Sequence, residues 1–286
     1  MHADATVRRI WDVFTYAIST KTDLRPDRPA TYLTRHVKLG AETNDDHRRT
    51  NPAGARQRGF SLGRYPHTGS VDDHLAEVLT HLNVRHVLDV GANDGAYVQR
   101  LRQAVGYRGA VSSFEPATET FDRLAARASA DPRWNVYSWA LGDTTSGMTL
   151  YRSAMSELNS LHPASTYGRE VFGVDQSSSE MVEVRRLDDI WRDLMTDDSH
   201  PGAVFLKTDT QGHDLAVLRG AEGVLNLVAG LQMEVPLQAI YEDMPSLVEV
   251  FAQLQEHGYY CTGIFPVSRG PGLRLVEVDI VALRAR

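Results

Sequence analysis

The sequence predicts an α/β fold: a doubly wound, mostly parallel seven-stranded sheet with an antiparallel C-terminal hairpin. Three observations predict it. From Ser70 onward, short apolar runs alternate with segments of helical periodicity. The first run, "HVLDV" from His86, breaks into the small-residue loop Gly91-Ala92-Asn93-Asp94-Gly95 and then a helix. The last two runs are joined by "SRGPG", a turn-forming link.

The elements follow in order. Ser70 and Asp73 resemble a capping box, and Leu75, Val78, Leu79 and Leu82 mark the helix that leads into the first strand. "AVSSFEP" (residues 110–116) is a second buried strand, followed by a helix lined by Phe121, Leu124, Ala125 and Ala128. "NVYSWA" (135–140) is a third and "AVFLKTD" (203–209) a fourth, with Leu215, Leu218, Ala221 and Leu225 on the next helix. "LVAGLQMEV" is the fifth, before a helix through Leu247, Val250, Phe251 and Leu254, and "YYCTGIFPV" and "RLVEVDIVAL" form the hairpin. Continuous apolar strands separated by amphipathic helices indicate a sheet covered on both faces.

Residues 70–286 form this domain, and residues 1–69 differ from it. Val7, Ile10, Trp11, Phe14 and Ile18 fall at helical spacing after a cap at Asp4, but residues 21–67 are rich in Pro, Arg, Asp and Thr without a sustained period. This part reads as a helical appendage, serving as a lid or an oligomer contact, followed by an irregular connection. Residues 143–186 read as an insert: "MTLYRS" and "MVEVRR" are extra strands around "AMSELNSLHPASTYG", a length suited to a lid or a substrate wall.

Composition narrows the function. A net charge of -7 argues against a nucleic-acid partner, which needs a basic face. The single cysteine, Cys261, excludes a disulfide framework and a multi-cysteine zinc site. No apolar leader and no membrane span are legible, so a cytoplasmic location is expected. The expected partner is a small-molecule substrate, with homo-oligomerisation left open.

In a doubly wound sheet, ligands bind at the carboxyl ends of the strands. The loop at residues 91–95 has glycines at both ends, which allow sharp turning and close approach, but it lacks the Lys-Ser/Thr pair of a P-loop and the Gly-x-Gly-x-x-Gly of a dinucleotide site. Asp89 and Asp94 flank it. Carboxylates repel pyrophosphate but suit an amino group and sugar hydroxyls. Glu115, 20 residues past Gly95, ends the second strand where an acid accepts bonds from both ribose hydroxyls. Asp209 and Glu234 end two neighbouring strands further on.

Together these residues resemble a class I S-adenosylmethionine-dependent methyltransferase, with its Rossmann-like sheet, and more narrowly the FkbM family of O-methyltransferases. The resemblance rests on "LDVGANDG" (88–95), "FEP" (114–116), "ALGD" (140–143), "RLDD" (186–189) and "LKTDTQGHDLAVLRGA" (206–221), five motifs in order. Asp214 stands where the family more often has Glu, and His213 where it often has a small or aromatic residue. The resemblance implies S-adenosyl-L-methionine as cofactor, with Asp89 on its ammonium, the Gly91 carbonyl on its methionine part, Asn93, Asp94 and Gly95 shaping the floor, and Glu115-Pro116 at the ribose. Adenine then lies near Trp139 and Ala140, Trp139 serving either as a stacking surface or as core.

Methyl transfer to a hydroxyl needs positioning and a base. The candidates are His213, Asp209 and Glu234, with His162 weaker and Asp214 more simply a first-turn acid. His213 is preferred for its near-neutral pKa. Asp209 and Glu234 also offer two ligands to a divalent cation such as Mg2+, without a clear third. The sequence reading is therefore O-methylation of a small molecule, a sugar or polyketide-type natural product. The alternatives are a carboxyl O-methyltransferase, or a non-catalytic nucleoside-binding partner subunit. A NAD-dependent enzyme is disfavoured by the missing Gly-x-Gly.

Overall fold

The computed structural model describes residues 31–35, 60–64, 70–195 and 202–285. The chain divides into two units, Met1–Gly69 and Ser70–Arg286. In the first, strands Thr31–Arg35 and Phe60–Arg64 pair antiparallel, within the stretch expected to be an irregular connection. The helix expected at residues 7–18 lies outside the described residues.

In chain order the second unit comprises α1 (Val71–His81), β1 (Val84–Val90), α2 (Ala96–Arg100), β2 (Ala110–Phe114), α3 (Thr118–Ala128) and β3 (Trp134–Tyr137). Strand β4 (Ala140–Leu141) precedes the insert, which contributes β5 (Ser146–Arg152) and β6 (Ser178–Arg185). Then follow α4 (Leu187–Leu194), β7 (Ala203–Thr208), α5 (Asp214–Arg219), β8 (Val228–Pro236), α6 (Leu247–Glu256), β9 (Tyr259–Arg269) and β10 (Leu275–Arg284). Seven strands form one sheet in the order β9-β10-β8-β7-β1-β2-β3. The α/β fold class expected from the sequence is the one found. Strand β10 runs antiparallel to both β8 and β9, so the chain's last strand is inserted inside the hairpin edge.

Alternation along the strands explains the two-sided core. Val87 and Phe205 pack with Leu75, Val98 and Leu124 on one face. Leu88 and Leu206 pack with Leu187, Leu218 and Val250 on the other. Burying each such side chain contributes roughly 1.5 to 3 kcal/mol. Helix starts are set locally: Ser70 Oγ accepts the Asp73 N–H at 3.2 Å, and Ser246 with Glu249 completes a capping box at α6.

Two expected elements are shorter than their apolar pattern. The run 135–140 breaks at Ser138-Trp139, because Ala140–Leu141 leaves the main sheet to pair with Val184 and Arg185 in the three-stranded sheet β4-β6-β5. Helix α5 stops at Gly220, where a Cβ would sit 1.8 Å from the Gly142 carbonyl oxygen. Leu225, expected on that helix, lies instead in a separate 3-10 turn and is still buried. Arg186 fastens the insert by donating to the Asp143 carbonyl at 2.6 Å and to Asp188 at 2.7 Å.

Candidate functional site

A cavity of about 400 Å3 opens at the carboxyl ends of the parallel strands, where the loop after β1, the acid after β2 and the ends of β7 and β8 converge. Insert residues 156–161 form its outer wall.

The glycine loop is shaped by sterics. Gly91 has φ +74, and a Cβ there would sit 1.9 Å from the Asp209 carbonyl oxygen. Gly95 has φ +87, with the Trp134 ring 2.6 Å from where its Cβ would lie. Both positions need glycine for conformation and for space.

Beneath the loop runs a cross-strand polar chain. Asp89 and Lys207 are in register on adjacent strands, 3.1 Å apart, and Lys207 Nζ also donates to the Gly91 carbonyl at 3.0 Å. Ser113 Oγ donates to Asp89 at 2.9 Å, and Trp134 Nε1 donates to Ser113 Oγ at 2.9 Å. Burial pulls the Lys207 pKa down, but Asp89 and Asp209 outweigh it and hold the ammonium charged. This corrects one expectation: Asp89 is fully buried and does not line the cavity, whereas Gly91 does, its carbonyl accepting from Lys207. Asp89 acts by holding the lysine that holds the loop.

Glu115 does face the cavity. Its oxygens accept the Asn93 N–H and the Ala117 N–H, each at 2.9 Å. Burial nevertheless raises its pKa to about 7, because the two N–H bonds and the Lys207 charge offset desolvation only in part. Asn93, Asp94, Pro116 and Ala140 line the cavity beside it. Asn93 Oδ1 accepts from Ser156 Oγ at 3.0 Å, tying the loop to the insert. Asp94 accepts the Ala96 N–H at 3.2 Å and pairs with Arg127 at 3.1 Å. Trp139 is set apart from this lining. Its ring lies under the Arg185 guanidinium at 3.8 Å and against Tyr137 at 5.0 Å, so of its two expected roles the packing one matches its position.

Asp209 and Glu234 both reach the cavity, joined by a residue the sequence reading passed over. Gln211 Nε2 donates to Asp209 Oδ1 at 3.1 Å and to Glu234 Oε1 at 2.9 Å. Its place depends on a turn in which Gln211 has φ 53 and Gly212 φ 102. The Tyr241 hydroxyl, with one hydrogen to give, lies 2.9 Å from the Leu158 carbonyl and 3.1 Å from Gln211 Oε1. Burial, then Asp209 and Glu277, pushes the Glu234 pKa well above the usual carboxylate range. Among the described residues, no three His, Cys, Asp or Glu converge as the ligands of a metal ion.

His213 is the main correction. It caps α5 behind the cavity wall, buried, sharing a 3.1 Å hydrogen bond with His162, with Nε2 turned toward Gly142. Burial, with His162 adding to it, lowers its pKa to about 4. A base must reach the proton it removes, and neither histidine lines the cavity. Asp214 is also buried, accepting the Thr210 N–H at 3.3 Å, with a pKa raised to about 6 by burial and by Asp209. Lys207, Gln211, Glu277 and Ser156 are among the lining residues absent from the candidates. Only Lys207 left a sequence signal, as a cation inside the apolar run "AVFLKTD".

The family model described as the methyltransferase FkbM domain matches residues 89–261, more than half of the chain. No curated protein matches the sequence. Among solved structures, magnesium protoporphyrin IX methyltransferase from Synechocystis PCC 6803 is similar with a TM-score of 0.41 at 11% identity, covering 75% of this chain and 79% of that one. A SAM dependent methyltransferase from Aquifex aeolicus gives 0.38 at 13%, covering 83% and 100%. Fibrillarin from Aeropyrum pernix gives 0.36 at 13%, covering 70% of this chain and 66% of that one.

Proposed function

The chain belongs to the FkbM methyltransferase family, and from that premise we propose that it transfers the methyl group of S-adenosyl-L-methionine to a hydroxyl oxygen of a small molecule. The observation that carries this reading is Glu115, a carboxylate with both backbone bonds made and its remaining lone pairs facing the cavity, across from a loop that only glycines can form. These residues fit a nucleoside donor. Glu115 holds the ribose hydroxyls, Gly91 and Asn93 shape the floor, and Pro116, Ala140 and Leu141 give an apolar wall for the base. The donor, when bound, supplies an electrophilic methyl on a sulfonium.

The chain's own residues do the rest. The acceptor is oriented so that its oxygen forms the new C–O bond as the S–C bond breaks, and its hydroxyl proton passes to a carboxylate. Asp209 is the group we assign to that proton. It is 39% exposed, and Gln211 binds its Oδ1 while Oδ2 has only Lys207 Nζ at 3.7 Å. Because Gln211 bridges Asp209 and Glu234, no cation is needed to hold the two acids together. The same acids repel an anionic acceptor, which favours a hydroxyl over a carboxylate as the methylated group. The supports for a small acceptor are the cavity's volume and its wall of insert residues.

Calorimetry with the donor and with its demethylated product, S-adenosylhomocysteine, tests the reading. Glu115→Ala removes charge-assisted bonds worth roughly 1.5 to 3 kcal/mol each, so its affinity should fall at least about tenfold. Unchanged affinity in a folded variant refutes the assignment. Asp209→Asn should retain donor binding while lowering turnover by about 10²- to 10⁴-fold.

A further inference from the structure

The charges lining the cavity are lopsided. Six carboxylates face one cation, Lys207, among the described residues. Lys207 is already engaged by Asp89, the Gly91 carbonyl and Asp209. Near the glycine loop the acids are provided for, Glu115 by backbone N–H groups and Asp94 by Arg127. The opposite end differs. Gln211 spends both amide hydrogens on Asp209 and Glu234, and Ser268 Oγ donates to Glu277 Oε2 at 2.6 Å. Glu277 Oε1 has no N–H or hydroxyl donor and is met only by the Glu234 carboxyl, although the side chain is 4% exposed and lines the cavity. Two buried carboxyls set against each other are costly unless a proton or a cation lies between them.

Topology sets that partner on the acceptor side. Glu115 follows β2, whereas Glu234 lies on β8 and Glu277 on β10, three and four strands away in the sheet order. At about 4.8 Å per strand this is roughly 14 to 19 Å, beyond the nucleoside end. Glu234 is in register with Asp279, and Glu277 lies two residues before it on the same face. No three of these groups converge as metal ligands. A protonated amine, with three donors and a full charge, suits acceptors spread over a wider arc.

We propose that the acceptor is a hydroxylated small molecule bearing a protonated amine, and that Glu277 together with Glu234 seats that amine. This rests on the methyl-transfer reading above. It also explains why oxygen receives the methyl group: an ammonium held between carboxylates has no lone pair to attack with. The hydroxyl oxygen attacks, the S–C bond breaks, and the hydroxyl proton goes to Asp209. Burial, with Asp209 adding to it, lifts the pKa of both Glu234 and Glu277, and a cation brought beside them opposes that shift.

The test uses the full chain saturated with S-adenosylhomocysteine, whose own binding is first measured by calorimetry. A library of hydroxylated amines, each matched with its N-acetyl counterpart and including glucosamine with N-acetylglucosamine, is then screened by saturation-transfer NMR. Binders should be free amines, preferred at least about tenfold over their acetylated partners. Glu277→Gln and Glu234→Gln should each shrink that preference to about threefold or less while S-adenosylhomocysteine still binds. Binding of acetylated molecules as strongly as amines, a preference that survives both substitutions, or the absence of any amine binder overturns this inference alone. Failure of S-adenosylhomocysteine to bind overturns the methyl-transfer reading and takes this inference with it.

Discussion

At the β2 end of the cavity Glu115 receives a backbone N–H on each oxygen, whereas at the β10 end one oxygen of Glu277 has no N–H or hydroxyl donor and is met only by the Glu234 carboxyl. Both side chains are buried and both have raised pKa values, for the same first cause, desolvation. The difference is in what surrounds them. Backbone donors come from loops held by the sheet itself, so Glu115 is preorganised whatever is bound. Glu277 depends on what enters. A carboxylate fixed by its own fold suits a partner common to a whole family, and one left for the ligand to complete suits a partner particular to this chain.

The largest expected effect falls on the fixed end. Gly91→Val adds a β-branched side chain at φ +74 and a Cβ 1.9 Å from the Asp209 carbonyl oxygen. Strain at a positive φ costs roughly 1 to 3 kcal/mol before any clash is counted, so the loop and the β1–β7 contact should both give way. Denaturant melts should show a loss of roughly 3 kcal/mol or more, or no folded protein. A variant that melts like the native chain and lacks only donor binding contradicts this steric account.

The next effect lies behind the cavity. His213 is buried and neutral, with a pKa lowered to about 4 from an unfolded value near 6.5. Between those values the unfolded chain binds a proton that the folded chain refuses, so this contribution is complete above pH 6.5 and is lost as pH falls toward 4. From pH 7 to pH 5 the loss should be about 2 kcal/mol. His213→Asn should flatten that slope in urea melts without the turnover loss expected of a base. Parallel pH profiles for the two proteins contradict the burial account, and a turnover loss of the general-base size contradicts the placement.

These corrections show what the sequence made legible. Strand and helix order could be read because apolar runs, glycines and prolines act locally, and the place of Glu115 on the cavity wall because its distance from the glycine loop spans one helix and one strand. What could not be read depends on direction and register. Asp89 was expected on the ligand, but only the pairing of β1 with β7 reveals that it faces Lys207. His213 offered suitable chemistry, yet its side chain at the start of α5 turns toward Gly142. Gln211 carried no signal, because its role comes from a left-handed turn at a residue that seldom adopts one. The run 135–140 looked like one strand because periodicity does not show that its end pairs with a different sheet.

A smaller effect sharpens the comparison at Glu115. Its raised pKa, about 7, means the carboxyl carries a proton in part of the population at neutral pH. On the proposed contact, ribose hydroxyls donate to the ionised form, so binding should draw that proton off, and the affinity for S-adenosylhomocysteine should fall as pH drops below 7. The limit is about tenfold per pH unit. Calorimetry at pH 7 in two buffers of different ionisation enthalpy should show release of a fraction of a proton. An affinity flat from pH 8 to pH 6 breaks the link between burial and recognition at this end.

The smallest effect concerns a residue at neither end. Trp139 stands next to Ala140, which lines the cavity, and its sequence position suggested stacking on an adenine. Its ring instead lies between the Arg185 guanidinium and Tyr137, and its Nε1 is buried without a hydrogen-bond partner. Trp139→Phe keeps a flat ring beneath the arginine and removes the unpaired N–H, so the gain from losing that donor offsets part of the lost packing. Stability should change by less than about 1 kcal/mol, and the affinity for S-adenosylhomocysteine should stay within about twofold. A tenfold loss of affinity with unchanged stability would return Trp139 to the ligand, and with it the wall assigned here to Pro116, Ala140 and Leu141.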